Sequence, residues 1–126
     1  MPVVPASALS YAELPGRLSA DPLRVEPVPP ESHPGCSVRV VRIPPGSRTP
    51  HVHPHSAEVV YVVDGIGTAW EGDVATAVAA GDVVLIAAGT PHATVASAGS
   101  ELVLVCFFPH PDLAANLEEL AGPERA

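Results

Sequence analysis

From Cys36 onward the chain alternates short β-branched runs with Gly, Pro, Asp and Ser: CSVRVVRI (36–43), EVVYVVDG (58–65), GTAWEG (67–72), VATAVAAGDVVLIAAG (74–89), HATVASA (92–98) and ELVLVCFF (101–108). Runs this short and this regularly punctuated predict an all-β barrel or sandwich. With 126 residues, 47% of them apolar but only 4% aromatic, the chain fits one domain whose core is built from Val, Ala, Leu and Ile. The segment PDLAANLEELAG (111–122) has a different period, with Leu113, Leu117 and Leu120 at helical spacing and Gly122 as a stop, and predicts a short C-terminal helix.

The first 35 residues have another character. Eight of the sixteen prolines lie at positions 2, 5, 15, 22, 27, 29, 30 and 34, so this region is expected to be an extended arm that packs on the domain or on a neighbouring subunit. Within it, SYAE at 10–13 has the spacing of a capping box, enough for a turn or two of helix. The expected organisation is a proline-rich arm at 1–35, a barrel at 36–110, and a helix and tail at 111–126.

Charge and composition exclude several roles. The net charge is −8 and every cation is an arginine, at 17, 24, 39, 42, 48 and 125, which leaves no basic face for a nucleic acid. The apolar runs are too short for a membrane helix, no leader-like segment opens the chain, and Cys36 and Cys106 read as buried reduced thiols. A cytoplasmic protein is the expectation.

Chemistry concentrates in TPHVHPHSAEVVYVVDG (49–65). Residues two apart on a strand share a face, so His51 and His53 can converge on one ion. Pro54 ends that strand, and a turn through residues 54–57 lets Glu58 open the next one facing back into the site, which leaves His55 in the turn. A second turn, Gly89-Thr90-Pro91, delivers His92 to the start of another strand. Three imidazoles and a carboxylate suit a divalent transition metal, Fe, Mn, Ni, Zn or Co, better than Ca or Mg.

These residues resemble the two motifs of the cupin superfamily, in its small single-domain form. The first motif, a glycine, His-x-His, a glutamate and a later glycine, falls on Gly46, His51, His53, Glu58 and Gly65, with four residues between Gly46 and His51 where the family usually has five. The second falls on Gly81, Gly89 and His92, with Ala87 and Ala96 at the positions usually held by proline and asparagine. Taking His53 and His55 as the pair fits the first motif worse at both ends. The resemblance implies a double-stranded β-helix, the jelly-roll barrel of the cupins. It also implies one divalent metal on His51, His53, Glu58 and His92, with Glu58 able to act as a base.

The implied function is a metal-dependent enzyme on an organic small molecule, through dioxygenase, isomerase, lyase, decarboxylase or cyclase chemistry. An apolar lining favours a carbon-rich substrate over a sugar. The competing classes are a non-catalytic cupin that binds or senses a small ligand, and a structural partner that works through its arm. Homodimerisation is expected from apolar outer sheet faces. Among other residues, alternation from Glu58 turns Val60 and Val62 inward and Tyr61 outward. Trp70 reads as a core filler, and Glu71 as a solvated hairpin residue. At most one of Arg39 and Arg42 points inward, and one of Phe107 and Phe108. His33 and His110 belong to loops.

Overall fold

A computed structural model of the protein describes residues 3–13, 23–25 and 35–126. After a 3-10 turn at Ala6–Ala8 come β1 (Ala12–Glu13), β2 (Leu23–Val25), β3 (Ser37–Ile43), β4 (His51–Val52), β5 (Glu58–Asp64) and β6 (Ile66–Glu71). Then follow β7 (Val74–Ala79), β8 (Val83–Ile86), β9 (His92–Ala96), β10 (Leu102–Phe108) and β11 (Glu118–Glu119). They form two antiparallel sheets, one ordered β1-β2-β3-β10-β5-β8 and the other β11-β4-β9-β6-β7. The predicted all-β barrel is therefore present, and β3, β5 and β7 to β10 fall within the runs read from the sequence, with β6 starting one residue before its run. Among the described residues no helix is long and apolar enough to cross a membrane.

Alternation builds the interior. On β10, Leu102, Leu104, Cys106 and Phe108 are buried. Their ladder partners on β3 and β5 supply Val41, Ile43, Val60 and Val62 to the same core, each worth roughly 1.5–3 kcal/mol of removed apolar surface. The opposite parity sends Tyr61 to the surface, as its position predicts, and of the two adjacent phenylalanines it is Phe107 that faces out, while Phe108 stays 2% exposed.

One corner depends on a glycine. Gly65 joins β5 to β6 at φ +89°, and a Cβ there would collide with the carbonyl of Glu101. Gly89 is also left-handed, at φ +75°, but a Cβ would meet open space. Gly65→Ala is expected to cost about 2–4 kcal/mol in denaturant unfolding, from strain and displaced backbone together, and Gly89→Ala about 1 kcal/mol, from strain alone. Equal costs would contradict the corner geometry.

Two predicted elements differ. Residues 10–13 carry no helical turn; Ala12 and Glu13 instead form β1 against Leu23–Arg24, and β2 in turn pairs with β3, so the described part of the arm extends the sheet. The remaining arm residues, His33 among them, lie outside those described. The C-terminal helix is also absent: residues 113–116 form a turn, and Glu118–Glu119 then pair with His51–Val52 as β11. A helix this short is marginal on its own. Leu113 is buried in the core and Asn116 is fully buried in a side-chain network, and those two anchors fix a turn in place of helical hydrogen bonds.

Candidate metal centre

The two histidine-bearing turns are tied together before their side chains meet. His51 pairs directly with His92 across β4 and β9, and the Gly89 N–H donates to the His53 carbonyl at 2.9 Å. The turn after β4 restarts the chain at Glu58 with the parity that points its carboxylate inward, where it is 5% exposed. The imidazole centroids of His51, His53 and His92 stand 4.3–5.2 Å apart. One ligand atom from each of His51, His53, Glu58 and His92 lies within 4.8 Å of all the others.

Proton positions decide what this arrangement needs. His53 Nδ1 lies 2.7 Å from the Asn116 carbonyl and His92 Nδ1 lies 2.8 Å from the Thr90 carbonyl. A carbonyl only accepts, so both Nδ1 atoms carry a proton, and each ring turns its Nε2 toward the centre of the cluster. Those two Nε2 atoms sit 3.0 and 2.9 Å from the same oxygen, Glu58 Oε2. His53 Nε2 is buried there without an aligned hydrogen bond. Burial alone would push the Glu58 carboxyl up, but the flanking imidazoles outweigh it and hold the group well below the usual carboxylate range. Burial, reinforced by His92, pushes His51 well down, so this ring is neutral at pH 7. Three imidazoles and an ionised carboxylate converging at this spacing offer nitrogen and oxygen donors of the kind a divalent transition metal takes.

The remaining sequence candidates separate cleanly. His55 is exposed, outside the cluster, with its ring stacked on His110 at 5.7 Å. Arg42 is on the surface, 2.6 Å from Glu101, while Arg39 lines the cavity of about 40 Å³ beside the cluster. Cys106 lines it as well, its thiol pushed up by burial and then by Glu58; both cysteines are free, although Cys36 is only half-buried. Glu71 is exposed, as read from its hairpin position, and Trp70 is half-buried beneath the Arg125 guanidinium, 4.7 Å above its ring.

Two residues went unnoticed in the sequence. Arg48 lines the same cavity and donates from Nη1 to the Thr94 carbonyl at 2.8 Å, its pKa lowered by burial; its place three residues before His51 was the available signal. Asn116 accepts from the His55 N–H, donates to Ser56 Oγ, and through its carbonyl sets the His53 tautomer. No local pattern marks it, because the helical reading of 111–122 rests on the leucines and says nothing of the turn that buries it. Asn116→Ala takes the acceptor from the His55 N–H and a donor from Ser56 Oγ, empties a fully buried site, and is expected to cost about 2–3 kcal/mol in chemical denaturation; a loss below about 0.5 kcal/mol would contradict the network.

The Cupin domain family matches residues 39–108, a span that includes every strand from β4 to β10 and more than half of the chain. The chain belongs to the cupin family. No curated protein matches it. Among solved structures it is similar to a cupin-like protein from Thermotoga maritima (24% identity, TM-score 0.71, 82% of this chain and 78% of that one). It is also similar to the polyketide cyclase RemF from Streptomyces resistomycificus (20%, TM-score 0.74, 99% and 84%) and to a predicted oxalate decarboxylase from T. maritima (18%, TM-score 0.77, 86% and 98%). At these identities the likeness concerns the fold.

This cupin has a second, larger cavity of about 320 Å³ between the sheet edges β7 and β8. His92 and Thr94 line both cavities, so the two spaces share a wall at β9.

Proposed function

We propose that this cupin is a metal-dependent enzyme acting on an organic small molecule, with His51, His53, Glu58 and His92 as ligands of one divalent transition metal. The observation that carries the reading is the convergence of three imidazoles on one buried, ionised carboxylate, with two of the rings fixed by Nδ1 contacts to carbonyls. When bound, the metal supplies Lewis-acid polarisation of a substrate held through its oxygens. The protein's own contribution follows from its geometry. Asn116 and Thr90 hold the two rings in register, and Glu58, once it loosens from its ligand position, is the base that accepts a proton from bound substrate. The apolar walls around Phe108 and Leu104 exclude water from that transfer.

The similar structures named as a cyclase and a predicted decarboxylase support enzyme chemistry on a small molecule without selecting the reaction. Elemental analysis of the freshly purified protein, followed by a screen of carbon acids for metal-dependent turnover with Glu58→Gln as control, tests the proposal. One equivalent of transition metal and turnover confined to metal-replete wild type support it; metal-free protein without turnover indicates the non-catalytic binding module. Iron would favour oxygenase chemistry, and zinc or nickel isomerase, lyase or cyclase chemistry.

A homodimer is part of the same proposal. Tyr61, Val83, Leu85 and Phe107 are exposed together on the outer face of the six-stranded sheet, adjacent in register. Sedimentation of wild type is expected to give a dimer that Leu85→Glu converts to monomer; a monomeric wild type contradicts it.

A further inference from the structure

The two cavities that meet at His92 and Thr94 carry opposite charge. The smaller, beside the cluster, holds two guanidinium groups, Arg39 and Arg48, against one carboxylate, Glu58. The larger is walled by Ala69, Val78, Val84 and Ile86, which the ladders place on the barrel-facing side of β6, β7 and β8. Its charged lining, among the described residues, consists of Glu71 and Asp82, with no cation. Asp82 is also tied into the β7–β8 turn, accepting from the Ala79 N–H at 2.8 Å. Glu71 pairs in register with His92, so its carboxylate rises on the same face of the sheet as that ring.

We infer that the substrate is a carbon-rich monoanion, bound with its single anionic oxygen group at the Arg48 side of the cluster and its uncharged body in the cavity between β7 and β8. The inference rests on the enzyme reading above and adds to it the number and placement of the substrate's charges. An arginine fork inside a low-dielectric cavity attracts a carboxylate or enolate and pairs with it through charge-assisted hydrogen bonds. A volume of about 320 Å³ is at the small end of ligand sites and accommodates a bicyclic carbon skeleton. A second negative charge on that skeleton would meet Glu71 and Asp82 and be rejected, a discrimination built from repulsion as much as from attraction.

Isothermal titration of the metal-loaded protein with acetate, 1-naphthoate and naphthalene-1,4-dicarboxylate reads each feature separately. 1-Naphthoate is expected to bind more tightly than acetate, because only the larger acid fills the apolar cavity. Ala69→Leu, which occupies that space, should weaken 1-naphthoate about ten-fold while acetate changes little. Arg48→Gln should weaken both monoacids at least about ten-fold. The dicarboxylate should bind about five-fold more weakly than 1-naphthoate, the upper end for a solvent-screened charge, and Glu71→Gln should close that gap. This last comparison does not depend on Ala69→Leu folding. Dicarboxylate binding as tight as that of 1-naphthoate, or 1-naphthoate binding indifferent to Arg48→Gln, overturns the inference. Metal content measured on each sample separates the two proposals: protein that takes up no metal defeats the cluster as a metal site, whereas metal-replete protein that ignores all three acids defeats the substrate class.

Discussion

His53→Ala should bind its transition metal at least about 100-fold more weakly than wild type in a competitive titration against a chelator. Loss of an outer partner of a ligating histidine already costs about 10–100-fold, and removing the ligand itself sets that range as a floor. The substitution deletes the buried Nε2 beside Glu58 and leaves the Asn116 carbonyl without its donor, so the alanine variant should also unfold earlier than wild type without metal. His55→Ala, two positions on, removes an exposed ring and should change metal affinity by less than about two-fold. Similar affinities in the two variants would contradict the assignment of His53.

Phe108→Ala should lower stability by about 3–5 kcal/mol, the usual cost of emptying a buried phenylalanine site, which for a chain of this size is a melting shift of roughly 10–20 °C. Its ring is 2% exposed and packs 4.6 Å from that of His53, so it supports the cluster as well as the core. Phe107→Ala, with its ring 39% exposed on the outer face, should cost about 1 kcal/mol or less. Differential scanning calorimetry of the two variants checks the pair, and a reversed order would mean that β10 is in the wrong register.

Strand parity explains why so much was legible. On β5 and β10 burial alternates, and a one-residue slip would turn every core side chain outward, so Glu58, Val60 and Val62 could be placed from sequence, whereas the all-apolar run of β10 left open which of Phe107 and Phe108 points inward. The ligand set followed from the same rule together with Pro54, which lies just past the end of β4 in the stretch that lets Glu58 restart with inward parity. The C-terminal segment was opaque for the converse reason. Its leucines have helical spacing, but its conformation is decided by contacts 60 and more residues away: Asn116 with His53, His55 and Ser56, and β11 with β4. Arg48 was hidden similarly, because the irregular stretch between β3 and β4 that carries it gives no parity from which to read its direction. Only the assembled barrel turns its guanidinium toward the Thr94 carbonyl.

The central claim, that His51 and His53 with Glu58 and His92 hold one metal while His55 stands aside, is tested most directly by elemental analysis of freshly purified wild type, His51→Ala and His55→Ala. About one equivalent of transition metal in wild type and in His55→Ala, with none in His51→Ala, is the predicted result. Metal retained by His51→Ala and lost from His55→Ala would contradict the ligand set and the register of the barrel with it.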